Sequence, residues 1–157
     1  IQSYLEVLRD IGLIEKVEVF GSRKFKYFHI SPLLDLHYYL EEKYAYSEVD
    51  VPEKFVRKVI DEKVPFHVES FFASLLSKKL GLKKVIVEKP ETDIALVEFN
   101  RIGAVGEVKW KKIKQVELEE IEEKLCKFKD AEKYVILQEK DGLESKKVKL
   151  LDYKDFT

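Results

Sequence analysis

Apolar residues along this chain recur at two spacings, one helical and one extended, and the alternation between them predicts a mixed architecture. Tyr4, Leu5, Leu8 and Ile11 share helical spacing, and Gly12 follows in the position of a C-terminal cap. Leu13 to Phe20 reads as extended, Gly21-Ser22-Arg23-Lys24 as a turn, and Phe25 to Ile30 as a second strand. Ser31-Pro32 supplies an N-cap and a first-turn proline for a helix through Leu33, Leu36, Leu40 and Tyr44. Between residues 45 and 53 the helical period lapses, which predicts a linker.

Beyond the linker, Phe55, Val56, Val59 and Ile60 predict a helix broken near Val64-Pro65. A second helix from Pro65 to Leu80 is expected to bury Val68, Phe71, Phe72, Leu75 and Leu76, with Gly81 as its cap. A strand from Lys84 to Glu88 comes next. The segment 93 to 99 that follows is apolar on both faces, the mark of a central strand covered on both sides. Its partner runs from Ala104 to Trp110. A charged helix through Val116, Ile121, Leu125 and Phe128 precedes strands near Tyr134 to Leu137 and Val148 to Leu151. The expected division is a small unit over residues 1–46 and a larger α/β domain over residues 47–157.

Composition limits what this architecture is for. The length of 157 residues allows one full domain, or one small domain with part of another. One cysteine, Cys126, excludes a disulfide framework, and its apolar helical neighbours predict a small buried hydrophobe. No apolar run reaches membrane-spanning length and no signal-like start is present, so a cytosolic protein is expected, with no membrane partner. A chain that opens on Ile1 and has no methionine is expected to be a fragment lacking upstream sequence. Charged residues make up 38% of the chain yet nearly cancel, to a net charge of −1, so charge alone does not indicate nucleic acid. Lysine outnumbers arginine 25 to 4 and glutamate outnumbers aspartate 21 to 9, a profile expected of a hyperthermophile.

Chemistry concentrates in the predicted hairpin. Asp93 heads the doubly buried strand, and Glu107 and Lys109 stand two apart in the next, the residue types that metal-dependent phosphodiester cleavage requires. Whether they share a face depends on the turn. With Asn100-Arg101-Ile102-Gly103 as a type I turn and Gly103 bulged in the left-handed region, Asn100 pairs with Ala104 and Val97 with Glu107. Asp93, Glu107 and Lys109 then share one face; a plain four-residue loop shifts the register by one and separates them. Glu69 falls inside the apolar arc of its helix, where a charge needs a partner, either a metal or a basic side chain.

Together, Asp93, Glu107-Val108-Lys109 and the upstream Glu69 resemble the PD-(D/E)xK nuclease motif, and helix, three strands, helix, strand is the core order of the restriction-endonuclease-like fold. More closely, Thr92-Asp93-Ile94-Ala95-Leu96-Val97, then Gly106-Glu107-Val108-Lys109-Trp110-Lys111, a helix and Lys133-Tyr134-Val135-Ile136-Leu137 resemble the uncharacterised domain at the C-terminus of archaeal P-loop (DEXX-box) ATPases. That domain follows a winged helix. Residues 1–46 resemble the last part of one, with a helix, Gly12-Leu13-Ile14-Glu15 and a hairpin with a basic tip. The motif's proline is absent beside Asp93, where Glu91-Thr92 stand.

The resemblance implies an α/β mixed sheet flanked by helices, preceded by a partial winged-helix unit, and a DNA nuclease coupled to an upstream ATPase domain. Asp93 and Glu107 would hold Mg²⁺ or Mn²⁺ with the carbonyl of Val108, aided by Glu69, and Lys109 would orient or help deprotonate the attacking water. Lys111, Lys112 and Lys114 follow directly and would hold flanking phosphates, or else form a solvated strand end. Arg23, Lys24 and Lys26 would place a basic wing near phosphates, although Glu6, Arg9 and Asp10 give the preceding helix a mixed face. A non-catalytic module that binds DNA or docks the ATPase remains the alternative. ATP hydrolysis by this chain is excluded as far as motifs go, since no Gly-rich Lys-Ser/Thr loop is present. His29, His37 and His67 are too scattered in sequence to suggest a site.

Overall fold

The computed structural model describes residues 1–156 and is an α/β structure in which helices flank a mixed sheet. Two compact units are present, one of residues 1–17 and 24–67, the other of residues 18–23 and 68 onward.

In the first unit, α1 (Gln2–Asp10) closes through the Leu13 N–H to the Leu8 carbonyl, a return made possible by Gly12 at φ +76°. The strands β1 (Ile14–Val19) and β2 (Phe25–His29) follow as a hairpin. The α2 helix (Pro32–Tyr44) begins as its sequence predicts, with the Ser31 hydroxyl accepting from the Leu34 N–H. Residues 45–52 are non-helical and lie within the first unit, which continues to residue 67.

The α3 helix (Glu53–Leu80) corrects the expected break at Val64-Pro65, because it runs unbroken through the proline. An interior proline costs about 3 kcal/mol and one backbone hydrogen bond. Packing on either side outweighs that: Val59 is fully buried in the first unit, and Phe72, Ala73 and Leu76 are buried in the second. Gly81, at φ +68°, ends the helix as expected. Phe71, expected in the core, is exposed while its neighbour Phe72 takes the buried position.

In the second unit the strand order is β1-β3-β4-β5-β6-β7, entered by Glu18 and Val19 at the end of β1. The strands β3 (Lys83–Ile86), β4 (Ile94–Glu98) and β5 (Arg101–Lys109) form an antiparallel meander. After α4 (Gln115–Leu125), β6 (Glu132–Leu137) returns parallel to β5, and β7 (Lys149–Leu151) adds parallel to β6. Phe72, Ala73 and Leu76 of α3 cover one face, against Ile94, Leu96, Ala104 and Val108. Leu118, Ile121 and Leu125 of α4 cover the other, against Val105, Val135 and Leu137. Ile94 to Val97 are all buried, as a central strand requires.

Two expectations for α4 are corrected. Cys126 is exposed, because the helix ends at Leu125 and the next residue turns off the buried arc of Leu118, Ile121 and Leu125. Phe128, expected within the helix, lies beyond its end at Leu125. Among the described residues, no helix is long and apolar enough to cross a membrane.

The hairpin register also differs from expectation. Glu98 pairs with Arg101 across a two-residue turn, Phe99-Asn100, and Ala104 pairs with Leu96 instead of Asn100. Phe99 takes φ +55°, the positive value that a two-residue turn needs to match strand twist. Gly103 lies outside the left-handed region, but the ladder does shift between Leu96 and Val97, where the β5 partners pass from Ala104 to Ile102.

Candidate active site

Beyond the bulge, from Leu96–Ala104 to Ile94–Gly106, the register is displaced by four residues, an even number, so Asp93, Glu107 and Lys109 keep the face they were assigned, whereas Val97 and Glu98, nearer the turn, are displaced by five. The ladder Leu96–Ala104, Ala95–Val105, Ile94–Gly106 extends to set Asp93 across from Glu107. Both strands deliver these residues to the face that α4 covers, since Val105, two before Glu107, packs against Leu118 and Leu125. The expected common face is therefore present, reached through a tighter turn and a bulge.

Local backbone chemistry fixes the pair. The Thr92 hydroxyl donates to the Gly106 carbonyl at 2.8 Å and ties the entry of β4 to β5. The Val108 N–H donates to Asp93 Oδ2 at 2.9 Å, and the Asp93 N–H reaches Glu107 Oε1 at 3.4 Å. Gly106 is needed for this approach, because a Cβ there would lie 3.0 Å from the Tyr134 carbonyl on β6. Trp110, just past β5, packs its ring 5.2 Å from that of Phe72.

Charges are balanced tightly around Glu107, whose side chain is only 4% exposed. Lys109 Nζ lies 3.3 Å from Glu107 Oε2 and 3.8 Å from Asp93 Oδ2. The other oxygen of Glu107 receives Lys124, from the last turn of α4, at 2.6 Å. A buried carboxylate is tolerated only with such partners.

Electrostatics follow from that geometry. Burial, and then Glu107, raise the Asp93 pKa from its ordinary value, against the pull of the Val108 N–H, Lys109 and Lys124. Burial lowers the tendency of Lys109 to carry charge, but Asp93 and Glu107 outweigh it and hold the ammonium above its ordinary pKa. Glu69, half-buried on α3, is pushed up to about 7, first by burial and then by the charge on Asp93, with Glu107 and Glu91 adding and Lys109 opposing. Glu69 thus feels the same charges as the hairpin acids.

The donor set suits a hard divalent cation, with two carboxylates facing each other across the ladder. Among the described residues no three His, Cys, Asp or Glu side chains are gathered closely enough to hold a metal ion by themselves. That is compatible with Mg²⁺, which keeps several waters and takes one or two carboxylates.

The expected phosphate contacts are more dispersed. Lys111 and Lys112 are exposed and already paired, to Glu117 at 3.5 Å and Asp141 at 3.0 Å. Lys114 precedes α4, where its N–H donates to the Glu117 carboxylate at 2.9 Å. Arg23, Lys24 and Lys26 are exposed along the β1–β2 hairpin, and Arg23 lines an open concavity of about 610 Å³ with Phe20, Phe99 and Asn100.

Two features escaped the sequence reading. Lys124 is one lysine of a lysine-rich helix, and nothing but the packing of α4 against β5 marks it. The histidines are less scattered than their numbers suggest: His29 and His67 both meet Asp35, at 3.3 and 3.0 Å, and Lys63 joins at 3.0 Å. These four residues all belong to the first unit.

No family model, curated protein or solved structure matches the chain. Its residues and their geometry are therefore what any functional reading rests on.

Proposed function

We propose that this chain carries a metal-dependent DNA endonuclease site of the PD-(D/E)xK type, in a restriction-endonuclease-like domain that serves an upstream archaeal P-loop ATPase in the cytoplasm. The observation that carries the reading is Asp93 and Glu107 facing each other on adjacent strands with Lys109 Nζ in reach of both. Structural ion pairs have no need of two like charges so placed on central strands.

Asp93 and Glu107, with the Val108 carbonyl and Glu69 nearby, would hold Mg²⁺ or Mn²⁺. Once bound, such an ion lowers the pKa of water and offsets charge on a phosphodiester. The Val108 N–H fixes the carboxylate of Asp93 so that it does not reorganise. Lys109 stays protonated beside the two acids, so its part is to orient the attacking water and stabilise the negative charge of the pentavalent state, not to accept a proton. Lys111, Lys112, Lys114, Arg23, Lys24 and Lys26 are the candidates for contacts with flanking phosphates, the first two after exchanging their present carboxylate partners.

A second reading has one observation in its favour. The 2.6 Å contact of Lys124 with Glu107 satisfies the buried acid without a metal, as in a module that binds DNA or docks the ATPase without cleaving. Plasmid, single-stranded and branched DNA incubated with the protein and Mn²⁺ separate the two. Cleavage by the wild type and a loss of about 10² or more in Glu107→Ala is the expected result; no cleavage, or equal cleavage by both, ends the nuclease reading.

A further inference from the structure

The two oxygens of Glu107 are not equivalent in their partners. Oε2 is shared with Lys109, which stands in the same strand and also faces Asp93. Oε1 is held by Lys124 alone among the lysines, from a different element and at the shorter distance of 2.6 Å. The Lys124 side chain is 35% exposed while that of Glu107 is 4% exposed, so the ammonium forms the outer wall of the carboxylate. Lys124 is also the last-turn cation of α4, held near the helix C-terminus, where positive charge is favoured.

We propose that Lys124 is the residue a divalent cation must displace, a positioning lysine that neutralises Glu107 before metal binds and thereby sets the metal affinity of the site. This rests on the metal-dependent reading above. An ammonium and a divalent ion compete for the same lone pairs and repel each other at short range, so both cannot hold Oε1. A four-carbon stem with a partly solvated head lets Lys124 turn outward without moving the helix. Lys109 does not serve in this way, because it faces Asp93 and Glu107 together and reaches the other oxygen of Glu107.

The metal-free and metal-loaded states are expected to respond oppositely to one substitution. Lys124→Met removes the counter-ion, which exposes the Glu107 carboxylate to metal and leaves it unpaired without one. Lys124→Gln keeps an N–H donor for Oε1, and so holds the fold if the methionine variant does not. Mn²⁺ binding to the intact chain is measured by calorimetry, without DNA, for wild type, both variants, Lys124→Arg and Glu107→Gln.

Tighter binding by about tenfold or more in Lys124→Met or Lys124→Gln, none in Glu107→Gln and no gain in Lys124→Arg is the expected pattern. If wild type binds Mn²⁺ through Glu107 and neither neutral variant binds it more tightly, Lys124 is not the displaced group and the inference fails alone. If no protein binds Mn²⁺ in a Glu107-dependent way, the metal reading fails and takes the inference with it.

Discussion

Glu69 makes the sharpest test of the site at the level of one side chain. Its folded pKa of about 7 stands above the ordinary glutamate value, so between those two values the folded protein holds a proton that the unfolded chain has released. Stability from this group is therefore full at low pH, falls as pH rises from about 4.3, and is at its lowest above the folded value. Glu69→Gln, measured by thermal melts without metal across that range, is expected to stabilise the protein near pH 8 and to change little at pH 4. An equal effect at both ends would mean that neither burial nor the neighbouring acids raise the Glu69 pKa.

Asp35 works in the other direction. Burial opposes its charge, but Lys63, His29 and His67 prevail and hold its pKa below the ordinary aspartate value. Its contribution is present above about pH 4 and is lost as pH falls through the lowered value. Asp35→Ala strands Lys63 and His67 without their carboxylate and is expected to cost about 1–3 kcal/mol at neutral pH in denaturant unfolding. His67 lies in α3, far along the chain from His29, and only the packing of that helix in the first unit brings them to one acid.

Among the elements, α3 and β5 each turn on one residue. Pro65 interrupts the hydrogen bonding of a helix held by its buried side chains, so Pro65→Ala is expected to stabilise by about 1–3 kcal/mol, read as a higher midpoint in urea. Gly106 permits the close passage of β5 past the Tyr134 carbonyl. Gly106→Ala is expected to destabilise by about 1–3 kcal/mol and, by moving β5 from β6, to reduce Mn²⁺ binding at Glu107. Most helix and strand assignments, the non-helical stretch at residues 45–52 and both glycine caps were legible because each depends on periodicity or turn chemistry within a few residues. The unbroken α3 was not, because the favourable burial on either side of Pro65 involves distant partners. The Phe99-Asn100 turn was missed because a phenylalanine at positive φ is disfavoured locally, and Asn100 to Gly103 offers a more ordinary turn.

At the scale of the molecule, a net charge of −1 provides no general attraction to DNA, so the proposed function asks local cations to supply any such contact. Metal offers a cleaner global signal. A site that binds only in the folded state adds about 2.7 kcal/mol at a free ion concentration one hundred times Kd. Mn²⁺ is therefore expected to raise the melting temperature of the wild type and leave Glu107→Ala unmoved; equal shifts in both would locate the ion elsewhere.

The sequence by itself determined the alternating elements, the central burial of β4 and the identity of the acids and lysine at the hairpin, because these follow from side-chain type and spacing along one short stretch. Their common face was legible only as a condition on the turn, because the two-residue turn reverses the parity and the bulge between Leu96 and Val97 restores it. Only tertiary structure decided the register itself, the convergence of His29, His67 and Lys63 on Asp35, and the ion pair of Lys124 with Glu107. Each of those is a meeting between elements, and the free energy that selects it comes from burial and charge pairing across the fold.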